Sequence, residues 1–335
     1  MRDCDGWCYR MKKRELPPHL LSLQLALHHR CAAWTEPQFP IPPESPSPRC
    51  TRRHTPRRSM DFYYSTETTT PCVPSSRHVL VVATAPRKVS TLGATLASLN
   101  RAGSSRWPGP KILSSDGPLD DSLSASLAED GWTVTSTPSP EGCARAFLSR
   151  LRAAIELCPD LDRLTFVEDD VEMCKNALDY MCRVHIPNDL ALVTWFTYDY
   201  DWTSPRHPPQ IPHPNDAALG TGRGLLGCRP SRFFILTQAV SFPRRTVDLL
   251  LDCPFLRDWP KLDGHDEMIA WALGDGLYAA HFPVLVQHTA GSDNSAVTFA
   301  RQAANVLPDE AQEGARSSPL YVGPEFDANY LLPGR

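Results

Sequence analysis

The chain's 11 cysteines include no Cys-x-x-Cys pair, no zinc-type spacing and no regular framework, so neither a zinc module nor a disulfide scaffold is indicated. A chain of 335 residues needs no such staples to fold, and reduced thiols are expected. Long hydrophobic runs are also scarce. The longest near the N-terminus, "LLSLQLAL" at residues 20–27, is too short to span a bilayer and has no small-residue cleavage site after it. No transmembrane segment is therefore expected, and a cytoplasmic location follows as the expectation. A Lys-bearing, Gly-rich triphosphate loop is missing after the first recognisable strand. The later "TGRGLLG" at residues 221–227 lacks the Lys-Ser/Thr of a P-loop and reads as a flexible loop edge.

What is present begins with an uneven charge. The net charge is −4, yet up to Met60 there are eleven Lys/Arg against five Asp/Glu, about +6, which leaves about −10 for the rest. Residues 1–76, including "PQFPIPPESPSPRCTRRHTPRR", hold no persistent period of 3.6 or 2.0 and are expected to form a disordered basic tail. A basic run can meet nucleic acid or anionic lipid. A plain solvated extension is the simpler reading, and no nucleic-acid partner is expected.

From residue 77 the texture changes. "HVLVVATAPR" is a run of β-branched residues of the buried parallel-strand type, closed by Pro86. "TLGATLASLNRAG" follows with apolar positions at helical spacing and a stop at Gly103. Strand-like "GPKILSSDGP", helical "SLSASLAEDGW", strand-like "GWTVTSTP", the amphipathic "CARAFLSRLRAAIELC" and strand-like "DRLTFVED" continue the alternation. Such a sequence predicts an α/β domain over residues 77–300, an open, mostly parallel sheet flanked by helices. Ligands bind such sheets at the carboxyl ends of the strands. Thr84, Arg87, Asp116 and the acids at residues 168–170 all fall there. Residues 301–335, polar and spaced by Pro and Gly, are expected to pack loosely.

The acids of "LTFVEDDVEMC" raise the chemical question. Adjacent carboxylates repel, and burying them unpaired is costly, so three at a strand end call for a cation. Mg2+ or Mn2+ suits: a hard ion that takes one or two carboxylates and fills its other positions with water and phosphate oxygens. In extended backbone, side chains alternate, which points Glu168 and Asp170 one way and Asp169 the other. The plain alternative is that these acids begin a helix and favour its N-terminal dipole.

"TAPR", "SSDGP", "FVEDDV", "GHDEMIAWAL" and "FPVLVQH", spread over about residues 77–295, together resemble the GT-A-fold nucleotide-sugar glycosyltransferases. The resemblance implies a GT-A-like fold and a metal held by an acidic Asp-x-Asp-type motif, of which "EDD" is a form departing by Glu168 in its first position. Metal ligands would then be Glu168, Asp170 and His288, with Mn2+ or Mg2+ bridging the donor diphosphate. Thr84, Pro86 and Arg87 would line the nucleotide pocket, Asp116 would meet the nucleoside, and Asp169 and Gln238 would stand on the donor side. Gly291, Ser292 and Ser295 would offer donors to phosphate oxygens. An inverting transfer needs a carboxylate to take the acceptor hydroxyl's proton, which selects Asp266 first and Glu267 second.

Each assignment has a plainer counterpart. Asp116 also reads as a turn former, Gly264 to Asp266 as a helix cap, and His288 as a satisfied core histidine. The aromatics Trp195, Tyr198, Tyr200 and Trp202 read either as a sugar-stacking lid or as core. The function implied is hexosyl transfer from a nucleoside-diphosphate sugar to a hydroxyl of a glycan, lipid or protein. A nucleotidyltransferase or metal-dependent phosphoesterase, and a non-catalytic sugar-binding relative, remain as alternatives.

Overall fold

The computed structural model describes residues 62–65, 75–197, 214–231, 234, 237–259, 264–274, 276–289, 318 and 320–332. Its elements, in chain order, are β1 (Phe62–Ser65), β2 (His78–Thr84), α1 (Leu92–Ala102), β3 (Lys111–Ser115), α2 (Asp121–Glu129), β4 (Trp132–Ser136), α3 (Cys143–Leu157), β5 (Arg163–Glu168), β6 (Val171–Met173) and α4 (Ala177–Arg183). They continue with β7 (Leu190–Thr194), α5 (Pro214–Thr221), β8 (Leu225–Pro230), β9 (Ala239–Pro243), α6 (Arg244–Asp252), α7 (His265–Leu273), β10 (Leu277–Phe282) and β11 (Val286–His288).

Nine strands form one sheet in the order β1-β8-β10-β7-β9-β5-β2-β3-β4, and β6 pairs with β11 in a second, two-stranded sheet. The pairings leave β8 and β9 antiparallel to the other seven, so the sheet is mixed but mostly parallel, as expected. Every residue of β2 is buried, which is what a strand covered on both faces requires. Its side chains alternate between two cores. Leu80 and Val82 pack with Leu92 and Leu99 of α1 on one face, while Val79, Val81 and Ala83 pack with Phe147 and Leu151 of α3 on the other. Helix α1 stops at Gly103, whose φ of 105° lies in the left-handed region that a Cβ disfavours.

Three expectations change. Within the stretch read as a tail, Phe62–Ser65 forms β1 and pairs antiparallel with β8. Four residues with no flanking turn signal give too short a pattern to be read as a strand, and β8 supplies the pairing. The loop edge at residues 221–227 runs into β8, and Gly224 is required there because a Cβ would overlap Tyr180 Oη and His281 Nε2. In the loosely packed C-terminal segment, Ala328 and Leu331 are buried in the main core, and Ala328 N donates to Lys175 O at 2.9 Å. Among the described residues no helix is long and apolar enough to cross a membrane.

Candidate active site

Strand β5 lies between β9 and β2, and its carboxyl end carries the acids. Because β2 runs parallel beside it with Ala83 opposite Glu168, the end of β2 delivers Thr84 and Arg87 to the same place. Thr84 Oγ1 donates to Asp169 Oδ2 at 2.5 Å. Arg87 grips Asp169 Oδ1 through Nε (2.9 Å) and Nη2 (2.6 Å), and the same Nη2 reaches Asp170 Oδ2 at 2.9 Å. The Arg87 side chain is only 6% exposed, so this is a desolvated clamp rather than a surface pair. Burial works against its charge, but Asp170 and Asp169 outweigh it and push the guanidinium above its ordinary value.

The expected alternation of side chains fails here for a local reason. Strand β5 ends at Glu168, and Asp169 and Asp170 form a turn before β6, so the period of two no longer applies. Asp169 and Asp170 therefore share one guanidinium, while Glu168 turns elsewhere. It accepts from Thr237 Oγ1 at 2.6 Å and pairs with His265 Nε2 at 3.2 Å. Burial opposes charge on both partners, yet the pairing prevails: the nearby charge of His265 and the hydrogen bond from Thr237 hold Glu168 down to about 2. The neighbouring Cys143 and Glu168 push His265 up to about 10. The His265 ring stacks on Phe147 with centroids 5.1 Å apart.

The short β6–β11 ladder sets the remaining geometry. With His288 opposite Val171, the imidazole falls beside Asp170, and Nε2 lies 3.1 Å from Asp170 Oδ2. Burial resists protonation of His288, but Asp170 raises it above its ordinary value. The Asp170 carbonyl accepts from both Thr289 N and Thr289 Oγ1, each at 2.8 Å. On the other flank, Thr95 Oγ1 donates to Asp169 O at 2.7 Å. The turn is thus pinned from both sides, and one atom in it stays unsatisfied: Asp170 Oδ1 is buried without a hydrogen-bond partner. Gln238, 7% exposed, likewise keeps a buried Oε1 without a partner. Its backbone O accepts from Glu168 N at 2.9 Å, so it stands at the same strand end.

Asp266 opens α7 next to His265. Burial lifts its carboxyl above the usual carboxylate range, against the pull of neighbouring His265. Its Oδ1 accepts from Glu267 N at 2.9 Å, while Glu267 itself is exposed. Asp116 is occupied differently. Its two carboxylate oxygens accept from Glu141 N (2.6 Å) and Gly142 N (3.0 Å), 25 and 26 positions along the chain, so it braces the entry to α3. Pro86 lies half-buried between Thr84 and Arg87. Trp195 is fully buried and donates from Nε1 to Ser241 Oγ at 2.9 Å, so it belongs to the core and not to a lid. Tyr198, Tyr200, Trp202, Gly291, Ser292 and Ser295 lie outside the described residues.

Sequence reasoning missed Thr95, Thr237, Thr289, His265 and Arg150. Arg150 had a usable signal: it shares the apolar face of α3 with Ala146, Phe147 and Ala154, where a charge needs a reason. Fully buried, its Nη2 donates to Thr84 O (2.9 Å) and Ser114 O (3.2 Å), bracing the ends of β2 and β3 beneath the site. The threonines carried none, since a hydroxyl's partner is set by tertiary approach.

No family model and no curated protein matches the chain. Among solved structures it is similar to the mannosyltransferase PcManGT from Pyrobaculum calidifontis in complex with GDP-Man and Mn2+, at 13% identity and a TM-score of 0.40, over 67% of this chain and 60% of that one. It is similar to GalNAc-T7 with UDP, GalNAc and Mn2+ at 13% identity and 0.40, over 61% and 43%. The third, S. aureus TarS 1-349 in complex with UDP-GlcNAc, gives 10% and 0.38, over 61% and 55%. The chain thus spans less than two thirds of the length of each of these structures.

Proposed function

We propose that this chain is a divalent-metal-dependent glycosyltransferase that moves a sugar from a nucleoside-diphosphate donor to a hydroxyl acceptor with inversion. The observation that carries the reading is Asp170 Oδ1, a carboxylate oxygen buried without a partner at the carboxyl end of a central parallel strand. Leaving such an atom desolvated costs about 1–3 kcal/mol, and a cation with its ligands would recover that cost.

The residues fit Mg2+ or Mn2+ held in the sparse manner of hard ions. Asp170 would supply oxygen and His288 nitrogen, with water and phosphate oxygens completing the shell. Among the described residues no cluster of three or more His, Cys, Asp or Glu is arranged to hold a metal, so this reading relies on water and donor phosphate oxygens to complete the shell. Glu168, expected as a ligand, is proposed instead to anchor the start of α7 through His265. When bound, the metal neutralises charge on the departing diphosphate.

The protein's own groups do the rest. Arg87 adds a fixed positive charge at the phosphate side while keeping Asp169 and Asp170 from repelling each other. Thr84 and Pro86 form the adjoining wall for the nucleotide. Gln238 Oε1 accepts from a donor hydroxyl. Asp266, with its raised proton affinity, takes the acceptor's proton, and Glu267 is the weaker choice because it faces solvent.

Isothermal titration with UDP and GDP, each with Mn2+ and with EDTA, tests the reading on the wild type and Asp170→Asn. Metal-dependent binding of one nucleotide, weakened at least about tenfold by the substitution, is expected. Absence of binding with the fold intact, or binding indifferent to both metal and substitution, overturns it.

A further inference from the structure

We propose that the outer face of α3 carries a separate anion pocket that takes a phosphate or sulfate group. The proposal stands independently of the glycosyltransferase reading. A cavity of about 440 Å3 is walled by Arg145, Ser149 and Arg152 of α3 and, across from them, by Arg257 of the 3-10 turn Pro254–Asp258, over the apolar floor of Leu148. Positions 145, 149 and 152 recur at i, i+4 and i+7, so they share one helix face.

The charge pattern gives the ligand class. Arg77, Arg101, Arg106 and Arg244 each hold a carboxylate. Among the described residues, Arg145, Arg152 and Arg257 hold none. The one acid of the pocket, Glu141, accepts from Ser149 Oγ at 3.4 Å. Three arginines and one acid lining the same cavity leave it net positive, and planar guanidinium forks match tetrahedral oxyanions.

The pocket also borders the candidate active site. Its wall residue Pro140 and the site's Pro86 pack over the same glycine: a Cβ on Gly117 would lie 2.9 Å from Pro86 and 3.8 Å from Pro140. A phosphate or sulfate held here can belong to a free diphosphate or to an anionic saccharide.

The test is isothermal titration of the full chain, in EDTA and low salt, with pyrophosphate, glucose 6-phosphate and glucose 6-sulfate. The proteins are the wild type, Arg152→Gln, Arg257→Gln and Asp170→Asn. Saturable binding of one or more probes is expected, weakened about tenfold in each arginine variant and retained in Asp170→Asn, which separates this pocket from the donor site. Tighter pyrophosphate binding identifies a free diphosphate as the ligand, and tighter sugar-ester binding an anionic saccharide. Both arginines are exposed, so circular dichroism should show the variants folded. Failure of all three probes to bind the wild type, or binding unchanged in the arginine variants, overturns the proposal.

Discussion

His281 should make the protein lose stability in mild acid. Its ring lies in the core at 1% exposure, where Tyr180 Oη is 2.8 Å from Nε2 and Pro283 O is 2.9 Å from Nδ1. A neutral ring satisfies both contacts, donating from Nδ1 to the carbonyl and accepting at Nε2 from the phenol. A second proton would sit at Nε2 against the tyrosine oxygen, without solvent. Burial accordingly depresses His281 to about 4, with the Pro283 hydrogen bond only partly opposing it. The unfolded chain protonates this residue near 6.5 and the native state near 4, so in that interval the unfolded state binds more protons. The stability His281 contributes is complete above about pH 6.5 and is lost as pH falls towards 4. Between pH 7.5 and 5 the loss is about 2 kcal/mol, at 1.36 kcal/mol for each pH unit. Urea unfolding of wild type and His281→Gln at pH 7.5, 6 and 5 measures it. Gln keeps a donor and an acceptor but does not titrate, so contributions common to both proteins cancel in the difference. The wild-type stability should fall by about 2 kcal/mol more than the variant's. Parallel curves would refute the reasoning.

Asp266→Asn should lower kcat by about 10²- to 10⁴-fold with little change in nucleotide affinity, measured by donor turnover beside titration; an equal loss of affinity would assign Asp266 to binding. Asp116→Ala should cost about 1–2 kcal/mol in chemical denaturation, because two amides at the start of α3 lose their acceptor, and nucleotide affinity should change little. Phe147→Ala should cost about 3–5 kcal/mol, since this ring packs on Phe166, Phe242 and His265 in the core. It should also loosen the Glu168–His265 pair, seen as a lower pKa of His265 by NMR titration.

Much of the fold was legible in advance because its elements have strong periods and clear stops. The β-branched run ending at Thr84, the apolar face of α3 and the left-handed Gly103 each declare themselves within a few residues. Elements missed were short or weakly patterned. Strand β1 has four residues, β6 three and α4 seven, and each exists because a distant partner supplies what a local pattern cannot. A polar, proline-spaced composition likewise concealed Ala328 and Leu331, whose burial depends on where the chain returns.

The sequence by itself determined that Thr84, Arg87 and the acids of residues 168–170 would lie at the carboxyl ends of parallel strands, because strand and helix alternation dictates that topology, whereas His288 was expected from the family resemblance alone. Which oxygen each group meets was decided only by the tertiary structure. The turn after Glu168 cancels strand alternation and puts Asp169 and Asp170 on one guanidinium, 2.6 and 2.9 Å from Arg87 Nη2. The β6–β11 register sets His288 against Asp170, and α7 claims Glu168 through His265. Contacts such as His288 with Asp170 depend on ångström-scale approach between residues 118 positions apart, a quantity that composition and period do not encode.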